Sequence, residues 1–100
     1  MDMKCRIEYL STFYSDIQSI INYLEDFPNK ATRIFSIADV RINYLETMPE
    51  MYPIYPDVPD FRFIVIEDYI VFYKYIKDSN LAEIHRFLSG RMDIPNRVNE

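Results

Sequence analysis

Apolar and polar positions change their period several times along this chain, and each change marks an element. Residues 3–9 alternate, with Cys5, Ile7 and Tyr9 on one side and Lys4, Arg6 and Glu8 on the other. A period of two predicts a half-buried strand. The spacing then turns helical through Phe13, Ile17, Ile20, Ile21 and Leu24, which predicts a helix over residues 11–26 with Ser11 as N-cap and Asp16 near the positive end of its dipole. Pro28 suits the first turn of a second helix, whose apolar stripe runs through Ala31, Ile34, Phe35, Ala38, Ile42 and Leu45 until Pro49 stops it. The short Asp26-Phe27-Pro28 junction folds the two helices into an antiparallel hairpin.

Four prolines, Pro49, Pro53, Pro56 and Pro59, punctuate residues 48–60, a stretch that holds Glu50, Asp57 and Asp60 but no Lys or Arg. Proline fixes φ and removes a donor, so this segment reads as a stiff extended crossover, with Tyr52 and Tyr55 packing down. Two runs rich in β-branched and aromatic residues follow, 61–67 and 69–76, separated by Glu67-Asp68. They form a tight hairpin, although no glycine supplies the positive φ such turns prefer. Residues 77–80 make a second polar turn into a third run, 81–88, which the lone glycine, Gly90, ends. The tail beyond it, about residues 92–100, is expected to be mobile. The order strand, helix, helix, strand, strand, strand predicts a two-layer α+β fold, with a helix hairpin on one face of a sheet that ends in a three-stranded antiparallel meander.

Composition narrows the class. With 100 residues, 49% of them apolar and 16% aromatic, the chain suits a single domain over residues 1–100 with one ordinary core. Cys5 is the lone cysteine, which fits a reducing compartment. The opening Met-Asp-Met-Lys-Cys-Arg lacks an apolar signal-peptide region, and no run approaches the roughly 18 apolar residues of a membrane span. The expectation is a cytoplasmic protein with no membrane partner. A net charge of −5 repels phosphate backbones on average, so direct sequence-specific DNA binding by the chain alone is not expected.

Counting also removes most catalytic constellations. One histidine, one cysteine and one glycine cannot build a multi-His or Cys-rich zinc site or a phosphate-cradling glycine loop, and no metal or cofactor is expected. No nucleophile elbow surrounds any serine. His85 reads as a strand residue at the sheet surface, and Glu67 and Asp68 as solvated turn residues rather than an acid–base pair. The arginines say more. Arg62, Arg86 and Arg91 all lie on or beside the last three strands, and guanidinium suits planar recognition of carboxylate or phosphate; alternatively, Arg62 and Arg86 pair with acidic residues or cover the open sheet face. The second helix carries a further apolar stripe, Ile37, Val40 and Tyr44, which either the first helix covers or a partner helix occupies.

The order of elements and the residues on the late strands resemble the RelE/ParE superfamily of bacterial type II toxins. The resemblance is carried by Phe61-Arg62, residues 65–69, Ile70-Val71-Phe72-Tyr73, Ile84, Arg86 and Gly90-Arg91-Met92-Asp93, together with the first strand, the helix hairpin with Pro28, and the exit from Leu45 to Pro49. It covers about residues 4–94. The superfamily implies one of two targets: RelE-type members cut messenger RNA on the ribosome, and ParE-type members poison DNA gyrase. In the RNA-cutting branch the strand after the hairpin usually reads Tyr-Arg-Leu-Val-Tyr, with its arginine on the scissile phosphate. Here that place is Ile70. The proline loop has no Lys, and no aromatic residue follows Phe87.

Arg62, Tyr69, Phe72-Tyr73 and Arg86 are similar to the ParE pattern; Ser89 stands where many members have His. The resemblance therefore implies a toxin of a toxin–antitoxin system that acts by binding, with DNA gyrase as target and a cognate antitoxin as antidote. Arg62, Arg86 and Arg91 are the candidate target contacts, and Ile37, Val40 and Tyr44 the candidate antitoxin anchors. The alternatives are a ribosome-dependent messenger RNA endoribonuclease, in which His85 or a tyrosine helps proton transfer, and a non-toxic relative that only binds an antitoxin-like partner.

Overall fold

In a computed structural model, which describes residues 3–99, the alternation around Cys5 becomes strand β1 (Arg6–Tyr9). It is followed by helix α1 (Ser11–Tyr23) and helix α2 (Pro28–Asn43), the latter running into a 3₁₀ turn (Tyr44–Glu46). Strands β2 (Arg62–Ile66), β3 (Tyr69–Ile76) and β4 (Leu81–Ser89) follow the proline-rich segment, with a 3₁₀ turn at Lys77–Ser79 and a short helix α3 (Ile94–Arg97) at the end. The sheet order is β1-β4-β3-β2, antiparallel except for the parallel β1–β4 pair. The α+β meander fold is thus the one the element order predicts. The parallel pairing of β1 is possible because the helix hairpin and the meander form a long connection between them.

The helices do not start and stop quite where the periodicity placed them. Ser11 is not a cap: Leu10 holds the N-cap position in extended backbone with no side-chain capping bond, because its N–H still donates to Ile84 of β4 at 3.0 Å. The chain passes from sheet to helix without a loop. Helix α1 ends at Tyr23, three residues early, with Leu24 buried beneath the turn. Pro28 opens α2 as expected, where a missing N–H costs nothing. The two helices diverge, α1 lying over β4 and α2 over β2.

Two cores result. On the helix side, Phe13, Ile20, Leu24, Ile34, Ala38, Ile42 and Leu45 meet Ile64, Ile66, Val71, Tyr73, Ile84 and Phe87. On the opposite side a smaller cluster joins Phe61, Phe72, Leu88, Ile94 and Val98, with Tyr55, Val58, Phe63 and Ile70 packed against it. The tail expected to be mobile therefore packs onto the sheet: Ile94 and Val98 are only 3% and 2% exposed. The apolar pair four residues apart forms one face of α3 and covers Phe72 and Leu88 (Glu100, the last residue of that expectation, lies outside the described residues).

The glycine-free β2–β3 turn is made by Glu67 at φ 55°. Its carboxylate takes two hydrogen bonds from Arg33, at 2.8 and 2.9 Å, which offsets the cost of left-handed backbone at a non-glycine residue. Arg33 holds that carboxyl below its ordinary range. Asn80, at φ 48°, closes the other turn.

Candidate functional site

Arg86 sits where the β3–β4 ladder slips. Phe72 faces Arg86 while Tyr73 faces Ile84, so His85 is the extra residue of a β-bulge, and His85 and Arg86 share one face. Beyond the end of β1, this half of β4 is a sheet edge, and α1 closes it. Thr12 Oγ1 donates to the His85 carbonyl at 2.7 Å, and Asp16 accepts the Phe87 N–H at 2.9 Å. Asp16 also accepts from Nε and one terminal NH2 of the Arg86 guanidinium, at 2.7 and 2.9 Å, while the other terminal NH2 donates to the Arg97 carbonyl. Asp16 and Arg86 are each only 9% exposed. A buried bidentate pair of this kind is retained because each charge neutralises the other. Asp16 is therefore an edge cap and counter-ion rather than a surface dipole partner.

The other two candidate arginines lie elsewhere. Arg62 shares the helix-side face with Ile64 and Ile66 and is clamped by the proline segment, donating to the carbonyls of Glu50 (3.2 Å) and Tyr52 (2.7 Å) and to the Glu50 carboxylate (3.4 Å). Tyr73 beside it donates to the Pro49 carbonyl at 2.8 Å, and burial pushes its phenol up to about 12. Arg91 is exposed just past β4. The three arginines do not converge on one surface: one is buried in the fold, one holds a loop, and one is free to meet solvent.

What does gather on the face opposite the helices is a different group. His85 Nε2 lies 3.3 Å from Glu83 Oε1, its ring packs edge-on to Phe61 at 5.1 Å, and Lys74 sits 4.7 Å over that same Phe61 ring. Partial burial pushes His85 below its usual value, against the pull of Glu83. Among the described residues no three metal-ligating side chains are grouped to hold an ion.

Helix α2 separates two apolar surfaces. Between it and α1 runs a groove lined by Tyr9, Phe13, Tyr14, Ile17, Phe35 and Asp39 among others, which exists because the helices splay over different strands. On its outer side, Ile37, Val40 and Tyr44 line a second hollow together with Ser36 and Arg41. Ile37 is half-buried against the main core, while Val40 and Tyr44 are 54% and 52% exposed. The structure thus brings the three candidate anchors together and leaves them uncovered by α1. Arg41 reaches from this hollow to the β2 edge, where it donates to the Val65 carbonyl.

Sequence reading takes Asp16 for a helix-dipole residue and singles out neither Arg41 nor the inner groove. For Asp16 a signal was present: it falls three residues after Phe13 and four before Ile20, on the apolar stripe itself, where a carboxylate demands a buried partner. Arg41 and the groove carried no such signal, since both depend on how far the helices splay.

Residues 7–94 match a family model described as the ParE toxin of type II toxin–antitoxin systems. A solved chain described as the chromosomal ParDE toxin–antitoxin system from P. aeruginosa has the same fold, with a TM-score of 0.69 at 15% identity over 86% of this chain and 96% of that one. No curated protein matches the chain in sequence.

Proposed function

The chain belongs to the ParE toxin family, and on that premise we propose that it inhibits growth by binding an essential target, DNA gyrase, and that a cognate antitoxin silences it. The observation that carries this reading is the fate of Arg86. Its guanidinium is spent on Asp16 and the Arg97 carbonyl, Arg62 is held by the proline loop, and Ile70 stands at the strand position where the RNA-cutting branch has arginine. Stabilising a pentavalent phosphate needs several cations converging on one point, and these arginines diverge. Arg91 remains as the target contact. Antitoxin recognition is assigned to the uncovered outer side of α2, with Ile37, Val40 and Tyr44 as anchors, because exposed apolar residues grouped on one helix face mark a docking surface.

The test is induced expression with and without the cognate antitoxin, reading DNA supercoiling and message cleavage separately. Growth arrest with gyrase-dependent DNA breaks, relieved by the antitoxin, is the expected result. The endoribonuclease reading is favoured by one observation, His85 held beside Glu83 and stacked edge-on against the Phe61 ring that Lys74 also covers, a set able to move a proton. Cuts in ribosome-bound message without gyrase-dependent breaks would reverse the order.

A further inference from the structure

The groove between α1 and α2 lies apart from the outer side of α2 and has a different chemistry. Tyr9 of β1, Phe13 and Tyr14 of α1, Phe35 of α2 and Phe87 of β4 line it, and Asp39 is its one charged lining residue. The rings brace one another. Tyr9 lies 5.1 Å from Phe13 and 6.0 Å from Tyr14, Phe13 stacks on Phe87 at 5.8 Å, and Phe35 meets Phe87 edge-on at 5.9 Å. Because Phe13 and Phe87 belong to the main core, this aromatic wall is in place before any ligand arrives.

The wall carries an unmatched charge. Ring faces are the negative side of an aromatic quadrupole and attract cations. Asp39 is exposed and joins no ion pair among the described residues. The one cation–π contact among them is that of Lys74 with Phe61, on the opposite side of the sheet. The carboxylate acts on the groove itself: burial first, and the Asp39 charge second, push the Tyr9 phenol up. An aromatic wall with a carboxylate at its rim favours a cation and opposes an anion.

The kind of cation follows from its donors. A primary ammonium brings three N–H groups that need acceptors once out of water, and the lining side chains able to accept them are Asp39, Tyr9 and Tyr14, of which only Tyr9 is not exposed. A quaternary ammonium brings no donor, so its methyl groups can lie against rings with nothing left unpaired. The groove holds about 290 Å³, close to the lower end of the roughly 300–1,000 Å³ of small-molecule sites, which suits a compact head group rather than a helix. We propose that the α1–α2 groove binds a small, free quaternary ammonium compound, its methylated head against Tyr9, Tyr14 and Phe35 and its charge balanced by Asp39. Such a ligand ties together two helices that splay over different strands and so stabilises the fold. The site stands independently of the toxin reading.

Titration of the purified chain with choline chloride, against sodium chloride at equal concentration and followed by NMR amide shifts, tests the proposal. Expected are saturable shifts confined to lining residues such as Ile17, Ala38 and Asp39, with a Kd of about 1 mM. The uncharged carbon isostere of choline, with tert-butyl in place of trimethylammonium, should bind at least about fivefold more weakly, and so should choline to Asp39→Asn and to Tyr14→Ala. Both positions are exposed, so neither change threatens the fold. Tyr23→Ala, at an exposed aromatic outside the groove, should leave the Kd unchanged. Equal affinity for choline and its isostere would mean a groove without charge selection and would overturn the proposal, as would the absence of saturable shifts at about twenty times that Kd. Shifts with a short trimethyllysine peptide but none with choline would give the groove to a partner's side chain and overturn the free-ligand assignment.

Discussion

Two stretches of sheet edge, one on β4 beyond β1 and one on β2, each carry an arginine, and the arginines do opposite work. On the β4 side, Arg86 lies buried against Asp16, with both guanidinium arms satisfied and Thr12 and Asp16 taking the outward backbone groups. On the β2 side, Arg41 reaches from solvent to a single carbonyl, that of Val65. A buried ion pair is costly to break because the surviving charge stays out of water, whereas an exposed hydrogen bond exchanges with solvent at little cost. The first edge is therefore part of the fold. The second is a solvent-exposed contact, and the same residue type in a sequence does not tell the two apart.

The strongest way to break this comparison is Arg86→Met. It leaves the Asp16 carboxyl buried without its guanidinium partner, and is expected to lower stability by about 3–5 kcal/mol in a urea melt. Adding Asp16→Leu should recover part of that loss but not all, because the Phe87 N–H then lacks its acceptor, at a cost of about 1–3 kcal/mol. At the other edge, Tyr44→Ala should leave the melt nearly unchanged yet weaken antitoxin binding by more than about 1 kcal/mol in calorimetry; a loss below about 0.5 kcal/mol would remove Tyr44 as an anchor.

His85 gives a subtler check at the β4 bulge. Its folded value is lowered by burial, so the unfolded chain takes up the proton more readily. Stability should then fall as the pH drops through about 6.5 and level off once the folded state is protonated too. Melts of His85→Gln across this range should be flatter than those of the parent. The smallest effect is reserved for Arg41→Ala, expected to shift stability by no more than about 0.5 kcal/mol. A loss comparable to that of Arg86→Met would show that the open edge is as structural as the closed one.

Much of the architecture was legible in the residues themselves. The alternation at Cys5, Ile7 and Tyr9, the 3.6-residue stripes of the helices, Pro28 at the start of α2 and the Glu67-Asp68 hairpin all report local conformational preferences that neighbours in sequence enforce. The packing of the tail was not legible, for the converse reason: nothing near Ile94 and Val98 in the sequence marks them as buried, since their contacts, Phe72 and Leu88, come from β3 and β4. The candidate sites divide the same way. Ile37, Val40 and Tyr44 share a helix face by spacing alone, so that grouping was readable. Whether α1 would cover them was not, because it depends on the angle at which the helices cross the sheet.

By itself, then, the sequence determined the elements, their order, and the likeness of the late strands to a toxin family, because each of these is written in short-range periodicity and turn chemistry. Only the tertiary structure decided what each arginine does. Arg62 on β2, Arg86 on β4 and Arg91 just past β4 look alike as residues, but a guanidinium takes its role from the carboxylate or carbonyl that folding brings within about 3 Å. Asp16, 70 positions away from Arg86 along the chain, makes the difference between a binding residue and a buried counter-ion.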